Sequence, residues 1–182
     1  AIPKVSSEAR AFIPIGYVDC NTINSDANFM LPNATLYHFG ILCSTMHNAF
    51  MRAVAGRLES RYRYSNTIVY NNFPFPFAPQ SEGRTAPAAE QKHRAAIEAA
   101  AQAVLDARAF YRQEAAQEDL PPPSLADLYR PDAPFTRLHQ AHRALDKAVD
   151  AAYGYKGGHD DGSRTAFLFA LYQKAAAEAD KR

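Results

Sequence analysis

The chain has 182 residues, 47% apolar and 21% charged, which suffices for one ordinary domain or two small ones around a hydrophobic core. No apolar run approaches the ~20 residues that cross a bilayer and no signal-like stretch follows the N-terminus, so the chain reads as soluble and cytoplasmic, with no membrane partner. Cys20 and Cys43 can close at most one bridge, which excludes a disulfide scaffold. The balance of 20 Lys and Arg against 19 Asp and Glu excludes a strong global field for nucleic acid or membrane.

Composition shifts near residue 80. Residues 1–80 hold six basic and four acidic side chains, whereas residues 81–182 hold fourteen and fifteen and are rich in Ala. The expected fold class is α+β, with a small mixed α/β domain over 1–78, a linker over 79–90 and a small antiparallel helical bundle over 91–182. In chain order, Phe12–Val18 is a strand candidate with Pro14 hinting at an edge, and Asn28–Leu31 is a weaker one. From Leu36 to Gly56 the apolar residues Phe39, Leu42, Met46, Phe50 and Ala53 recur at helical spacing. Ser44, Asn48 and Arg52 line the opposite face, and Gly56 is the expected C-cap. Residues 60–72 alternate and carry β formers, so they read as a strand. Phe73-Pro-Phe-Pro-Phe77 cannot be a central strand, because two prolines remove ladder donors, and reads as an extended strap. The back half predicts a helix over 88–113 with Ile97, Ala101, Val104 and Leu105 on one stripe. Ser124 starts a brief capped helix to Tyr129. A helix over 136–152 aligns Leu138, Leu145, Val149 and Ala152, and one over 164–179 aligns Leu168, Leu171, Tyr172 and Ala175.

Catalytic constellations are scarce. The chain has no G-x-S-x-G elbow, Walker loop, G-x-G-x-x-G or paired C-x-x-C. His139 and His142 share a ligand-like spacing but lack a third ligand, and His159-Asp160-Asp161 between glycines reads as a solvated loop, so no metal site is expected. Cys43 reads as a small core residue. Asn33-Ala-Thr35 matches a glycosylation pattern without a secretory context.

The richest segment is Arg57-Leu-Glu59-Ser-Arg61-Tyr-Arg63. On a strand, Glu59, Arg61 and Arg63 project to one side. An arginine fork matches guanine O6 and N7, and a carboxylate accepts from cytosine N4, whereas simple phosphate binding would use uniform positive charge. The plainer alternative is that Glu59 pairs with a neighbouring Arg on an exposed strand.

Three blocks, Leu36-Tyr-His-Phe-Gly-Ile-Leu through Arg52, Gly56-Arg-Leu-Glu-Ser-Arg-Tyr-Arg-Tyr-Ser65 and Ile68-Val-Tyr-Asn-Asn-Phe-Pro-Phe-Pro76, resemble the target recognition domain of MmeI-type restriction-modification enzymes. Ala95–Arg108, Ser124–Tyr129, His142–Tyr153 and Phe167–Gln173 resemble that family's C-terminal helical domain. The resemblance implies a larger parent in which recognition serves an S-adenosylmethionine-dependent adenine-N6 DNA methyltransferase, with Mg2+ where a nuclease is also present. The catalytic motifs are not in this chain, which is expected to be an inactive C-terminal fragment starting inside the recognition domain, with no cofactor of its own. Its implied partners are double-stranded DNA and the methyltransferase domain of the same polypeptide.

Carried over by the resemblance, Glu59 and Arg61 form a pair reading the outer end of the site, where Glu/Arg favours a C·G pair and Lys/Asp the reverse. Arg63 works with Ala27, and Lys4 with Asp26, as further base-reading positions. Arg10, Arg52 and Arg57 are the candidates for phosphate contacts. The helical domain is assigned to clamping DNA and buttressing the recognition domain, although its charge gives no sign of a main DNA-binding role. The alternative from another class is a structural or protein-interaction module without DNA readout.

Overall fold

The first six residues make two short strands that turn at Lys4, β1 (Ile2–Pro3) and β2 (Val5–Ser6). In the computed structural model, which describes residues 1–77 and 85–179, β1 pairs antiparallel with β3 (Asn28–Phe29). β2 pairs antiparallel with β5 (Arg61–Arg63), which also pairs with β4 (Gly56–Leu58), giving a sheet of order β2–β5–β4. Lys4 joins the two sheets. Its N–H donates to the Ala27 carbonyl at 2.8 Å, and its carbonyl accepts from the Tyr64 N–H at 2.8 Å.

Phe12–Val18, expected as a strand, is extended but pairs with no strand. Ile13 and Ile15 are buried, while the Ile13 N–H donates to Asn48 Oδ1 at 2.9 Å and the Ile15 carbonyl accepts from Arg108 at 2.8 Å. Pro14 has no N–H for a ladder, and side chains satisfy part of this backbone in place of a partner strand.

The single helix expected over Leu36–Gly56 is two, α1 (Leu36–Leu42) and α2 (Thr45–Val54). Ser44 makes the break: its hydroxyl donates to the Ile41 carbonyl at 2.6 Å and accepts from the His47 N–H at 3.3 Å, capping α2. Ser44 and Asn48, expected on the solvent face, are buried, and Asn48 donates to the Ser44 carbonyl at 2.8 Å. Two polar side chains thus serve the backbone of the break and of the 12–18 strap rather than water. Gly56 does not cap α2 but opens β4, and Ala55 ends the helix. The strand expected over 60–72 lasts only through Arg63. Residues Asn66–Tyr70 wind into a π-helical turn, with the Ser65 hydroxyl accepting from the Ile68 N–H at 3.3 Å. In the strap that follows, Phe73 is buried edge-on to Phe50 and Phe75.

The back half forms α3 (Ala88–Gln117), α4 (Leu125–Leu128), α5 (Thr136–Tyr153) and α6 (Asp161–Ala179). α3 starts within the expected linker, of which residues 79–84 lie outside the described residues. Ser124 and Asp127 form the capping box at α4. Ile97, Ala101, Val104, Leu138, Leu145, Val149 and Leu168 are buried as their spacing predicts. Tyr172 is instead 46% exposed, and the side chain of Ala175 lies outside those described.

These helices do not pack only on one another. α3 runs antiparallel to α5, with the Arg137 N–H donating to the Tyr111 hydroxyl at 2.9 Å, but α6 lies chiefly along α2, and α1 lies along α3. One hydrophobic cluster therefore joins Ile2, Phe39 and Met46 of the front half to Ile97, Leu145 and Leu168 of the back half. A buried polar chain crosses the same junction. Arg108 donates to the Ile15 carbonyl and, at 3.0 and 2.6 Å, to the Tyr129 hydroxyl, which lies 2.7 Å from His142 Nε2. Phe12 stacks on the His142 ring at 4.0 Å. No helix among the described residues is long and apolar enough to cross a membrane.

Candidate nucleic-acid interface

The β4–β5 hairpin closes in a two-residue loop, because Leu58 pairs with Arg61 and leaves only Glu59 and Ser60 between the strands. Glu59 has φ 57°, in the left-handed region that glycine favours. Arg61 donates to Glu59 Oε2 at 2.7 Å, and both side chains are exposed, by 47% and 78%. Glu59 is thus a loop residue rather than part of a three-residue strand face. Its neighbours Arg61 and Arg63 do share the outer face of β5, while Tyr62 between them is buried on the other face.

Register places the remaining expected base-reading residues beside this hairpin. Arg63 lies opposite Val5 on one side and Gly56 on the other, and no carboxylate pairs with it among the described residues. Lys4 precedes Val5 and is bonded through its backbone to Ala27, which brings exposed Asp26 and Ala27 to the same sheet edge. The Lys4 ammonium lies over the Phe29 ring at 5.1 Å, and no ion pair joins it to Asp26 among the described residues. Six positions drawn from residues 4, 26–27 and 59–63 therefore meet through strand pairing.

The three expected phosphate-contacting arginines separate. Arg57 projects from the opposite face of the sheet, stacked on Tyr62 at 3.8 Å and donating to the Ser60 carbonyl at 2.8 Å. Arg10 is half-buried in the turn after β2, where its N–H donates to the Ser7 carbonyl at 3.3 Å. Arg52 is not an outward cation. Its guanidinium meets Asp161 at 2.5 and 2.8 Å and the Ala11 carbonyl at 3.0 Å, so it cross-links α2, α6 and the strap.

Glu8 escaped the sequence reading. Extending the β2–β5 register past Ser6 and Tyr62 brings Glu8 toward Ser60 at the hairpin tip. Its own backbone N–H first, then the Ser60 hydroxyl and the charges of Arg57 and Arg61, hold its carboxyl below the ordinary value. No local signal in the sequence places residue 8 beside residue 60; only the long-range strand pairing does.

The histidines and acids considered as ligands are occupied elsewhere. Burial pushes His142 down to about 3 and keeps it neutral against Tyr129, while His139 Nε2 lies 3.4 Å from the Ala133 carbonyl. Asp160 accepts from the Ser163 N–H and hydroxyl at 2.8 and 2.7 Å, and Asp161 holds Arg52. No group of three or more candidate ligands comes together among the described residues. Cys43 is buried, which raises its thiol to about 11.

Residues 1–77 match the family model "MmeI, target recognition domain", and residues 89–179 match "MmeI, C-terminal domain". The chain is 36% identical over 173 residues to DNA methyltransferase A of Bacillus subtilis (strain 168), covering 95% of this chain but 17% of that protein. Among solved structures it resembles the type IIL restriction-modification enzyme MmeI in complex with DNA, with a TM-score of 0.79 and 47% identity, over 97% of this chain and 21% of that one. The chain thus spans about a fifth or less of the relatives it matches. By these matches it belongs to the MmeI family, with residues 1–77 corresponding to the target recognition domain and residues 89–179 to the C-terminal domain.

Proposed function

We propose that this chain is the sequence-specific reader of double-stranded DNA in a cytoplasmic, S-adenosylmethionine-dependent adenine-N6 methyltransferase of restriction-modification type, and is itself non-catalytic. Recognition is assigned to residues 1–78 and buttressing to residues 91–182, joined by 79–90. The methyl donor would be held by a methyltransferase domain outside this chain.

The observation that carries the reading is the conformation of Glu59. A non-glycine residue in the left-handed region costs about 1–2 kcal/mol, and an exposed ion pair returns only ~0–1 kcal/mol. A salt bridge alone does not account for a glutamate there, whereas presenting a carboxylate at the hairpin tip does.

In the free chain Glu59 and Arg61 satisfy each other at 2.7 Å. In the major groove they would exchange partners. Glu59 would accept from cytosine N4, and Arg61 would donate to guanine O6 and N7 of the same pair. Reversing the base pair sets donor against donor and acceptor against acceptor, so each lost bidentate contact costs about 1–3 kcal/mol. Arg63 with Ala27, and Lys4 with Asp26, extend the reading along the sheet edge, and Arg57 and Arg10 supply phosphate contacts.

The experiment is a salt titration of duplex binding by the full-length protein that carries this chain. Base and phosphate contacts predict that log Kd rises linearly with log salt, by about 0.9 per phosphate neutralised. Duplex affinity that is absent or independent of salt would instead fit a structural or protein-interaction module.

A further inference from the structure

The back half has fourteen basic and fifteen acidic residues, and that balance hides how α5 sorts its charges. His139, Arg143 and Lys147 recur at four-residue intervals, so they share one stripe, and all three are exposed. The other exposed positions of α5 are Thr136, Arg137, Gln140, Ala144 and Ala151, none of them acidic.

The two acids flanking this stripe are engaged. Asp146 accepts from the Thr45 N–H and hydroxyl at 2.7 and 2.6 Å, capping α2. Asp150 pairs with both terminal nitrogens of Arg164, a guanidinium that is itself buried. Arg143 and Lys147 have no hydrogen-bond or ion-pair partner among the described residues. They open with His159 onto a cleft of about 360 Å³ whose other lining charges are Asp146, Asp150 and Arg164.

The opposite end of the stripe reaches the segment that follows β2. His139 lines a cavity with Ala9, Ala11 and Arg130, and Ala9 and Ala11 flank Arg10 in the segment that leaves β2 beside the hairpin tip. The segment that carries Arg10 thus lies between the hairpin tip and the N-terminal end of this stripe.

We propose that the exposed face of α5, through Arg143 and Lys147, binds the phosphate backbone of the duplex flanking the site read by Glu59 and Arg61. This inference rests on reading the chain as a DNA-binding module and adds a sequence-independent contact on its helical half. Four residues, about 6 Å of helical rise, separate the two cations, so they can follow successive phosphates along a strand. Such contacts fix position and affinity and leave base preference untouched.

The test uses the full-length protein, fluorescent duplexes containing or lacking the methylated site, and the variant Arg143→Gln/Lys147→Gln. The salt slope of log Kd is expected to fall by about 2, with affinity weakened at least ~10-fold near 0.1 M salt and the ratio between the two duplexes unchanged. Arg143→Lys, which keeps the charge, should retain the wild-type slope, and circular dichroism confirms that the variants are folded. An unchanged slope and affinity in the double variant would overturn the proposal. So would a loss confined to inorganic phosphate, which would mark a free-anion site. A variant that retains DNA binding but loses an acidic protein partner would point to that partner instead and equally overturn it. The underlying reading fails differently. If Glu59→Lys/Arg61→Asp leaves base preference unchanged while the α5 variant still lowers the slope, base readout is wrong and the backbone contact stands.

Discussion

A glutamate held at φ 57° at the tip of a two-residue loop is a choice that the fold alone does not favour. Glu59→Gly removes the backbone cost of about 1–2 kcal/mol, against ~0.4–1 kcal/mol of added unfolded-chain entropy. The thermal midpoint should therefore hold or rise while discrimination at the base pair facing Glu59 and Arg61 is lost; a clear fall in midpoint with discrimination intact would give Glu59 a purely structural role. The buried histidines make a prediction of their own. Burial holds His47 and His142 at about 3, below the ordinary histidine value near 6.5 in the unfolded chain. The unfolded state then binds more protons in acid. Their contribution is complete above pH ~6.5 and is lost as pH falls toward 3, by about 1.4 kcal/mol per pH unit for each histidine. Urea midpoints at pH 7.5, 5.5 and 4.5 should drop accordingly, and a flat profile would mean that the rings are accessible to protons in the fold.

Among the elements, α1 depends on a single residue without a side chain. A Cβ on Gly40 would lie 2.7 Å from Ile97 Cγ2, 3.2 Å from Ala101 Cβ and 3.3 Å from Leu145 Cδ1, at the place where α1 meets α3 and α5. Alanine gains up to ~1 kcal/mol in helix propensity, but overpacking against buried neighbours costs about 1–3 kcal/mol, so Gly40→Ala should destabilise by chemical denaturation. Stabilisation would show that the crossing can open. The apolar stripes of α3 and α5 were legible in the sequence because helical spacing is local: Ile97, Ala101, Val104, Leu138, Leu145 and Val149 are all buried. The break at Ser44 was not. Serine and asparagine at positions 44 and 48 follow the polar face of a continuous helix, and only the approach of Ile13, 35 residues away, turns Asn48 into a buried acceptor. The 60–72 strand failed for a related reason: β propensity extends past Arg63, but no partner strand accompanies it, and the Ser65 hydroxyl starts a turn.

Across the molecule, the two halves are joined by a shared core and by polar links that a division at residue 80 does not foresee. Arg108 is the principal one, buried and donating to both Ile15 and Tyr129. Replacing it with alanine strands those acceptors and should cost about 3 kcal/mol in a cooperative unfolding transition. Retention of wild-type stability would mean that the halves are held by the apolar contacts alone. Arg52, expected to touch phosphate, is a second link. Because the pair with Asp161 is partly solvated, Arg52→Gln should cost only ~1 kcal/mol in stability and leave base preference unchanged. The candidate residues of the proposed reading site could be named from the sequence, since a carboxylate between arginines has a chemical logic that uniform charge lacks. Its assembly was not, because Lys4, Asp26 and Arg63 meet only through strand register.

The central claim is that Glu59 and Arg61 read a base pair, and a modified-base map of DNA from cells expressing the full-length protein tests it. Wild type should give one asymmetric motif carrying N6-methyladenine, with a C·G pair at its outer position. Glu59→Lys with Arg61→Asp should reverse the preferred pair at that position alone, with methylation retained. The same motif from both proteins, or a uniform loss of methylation, would contradict it.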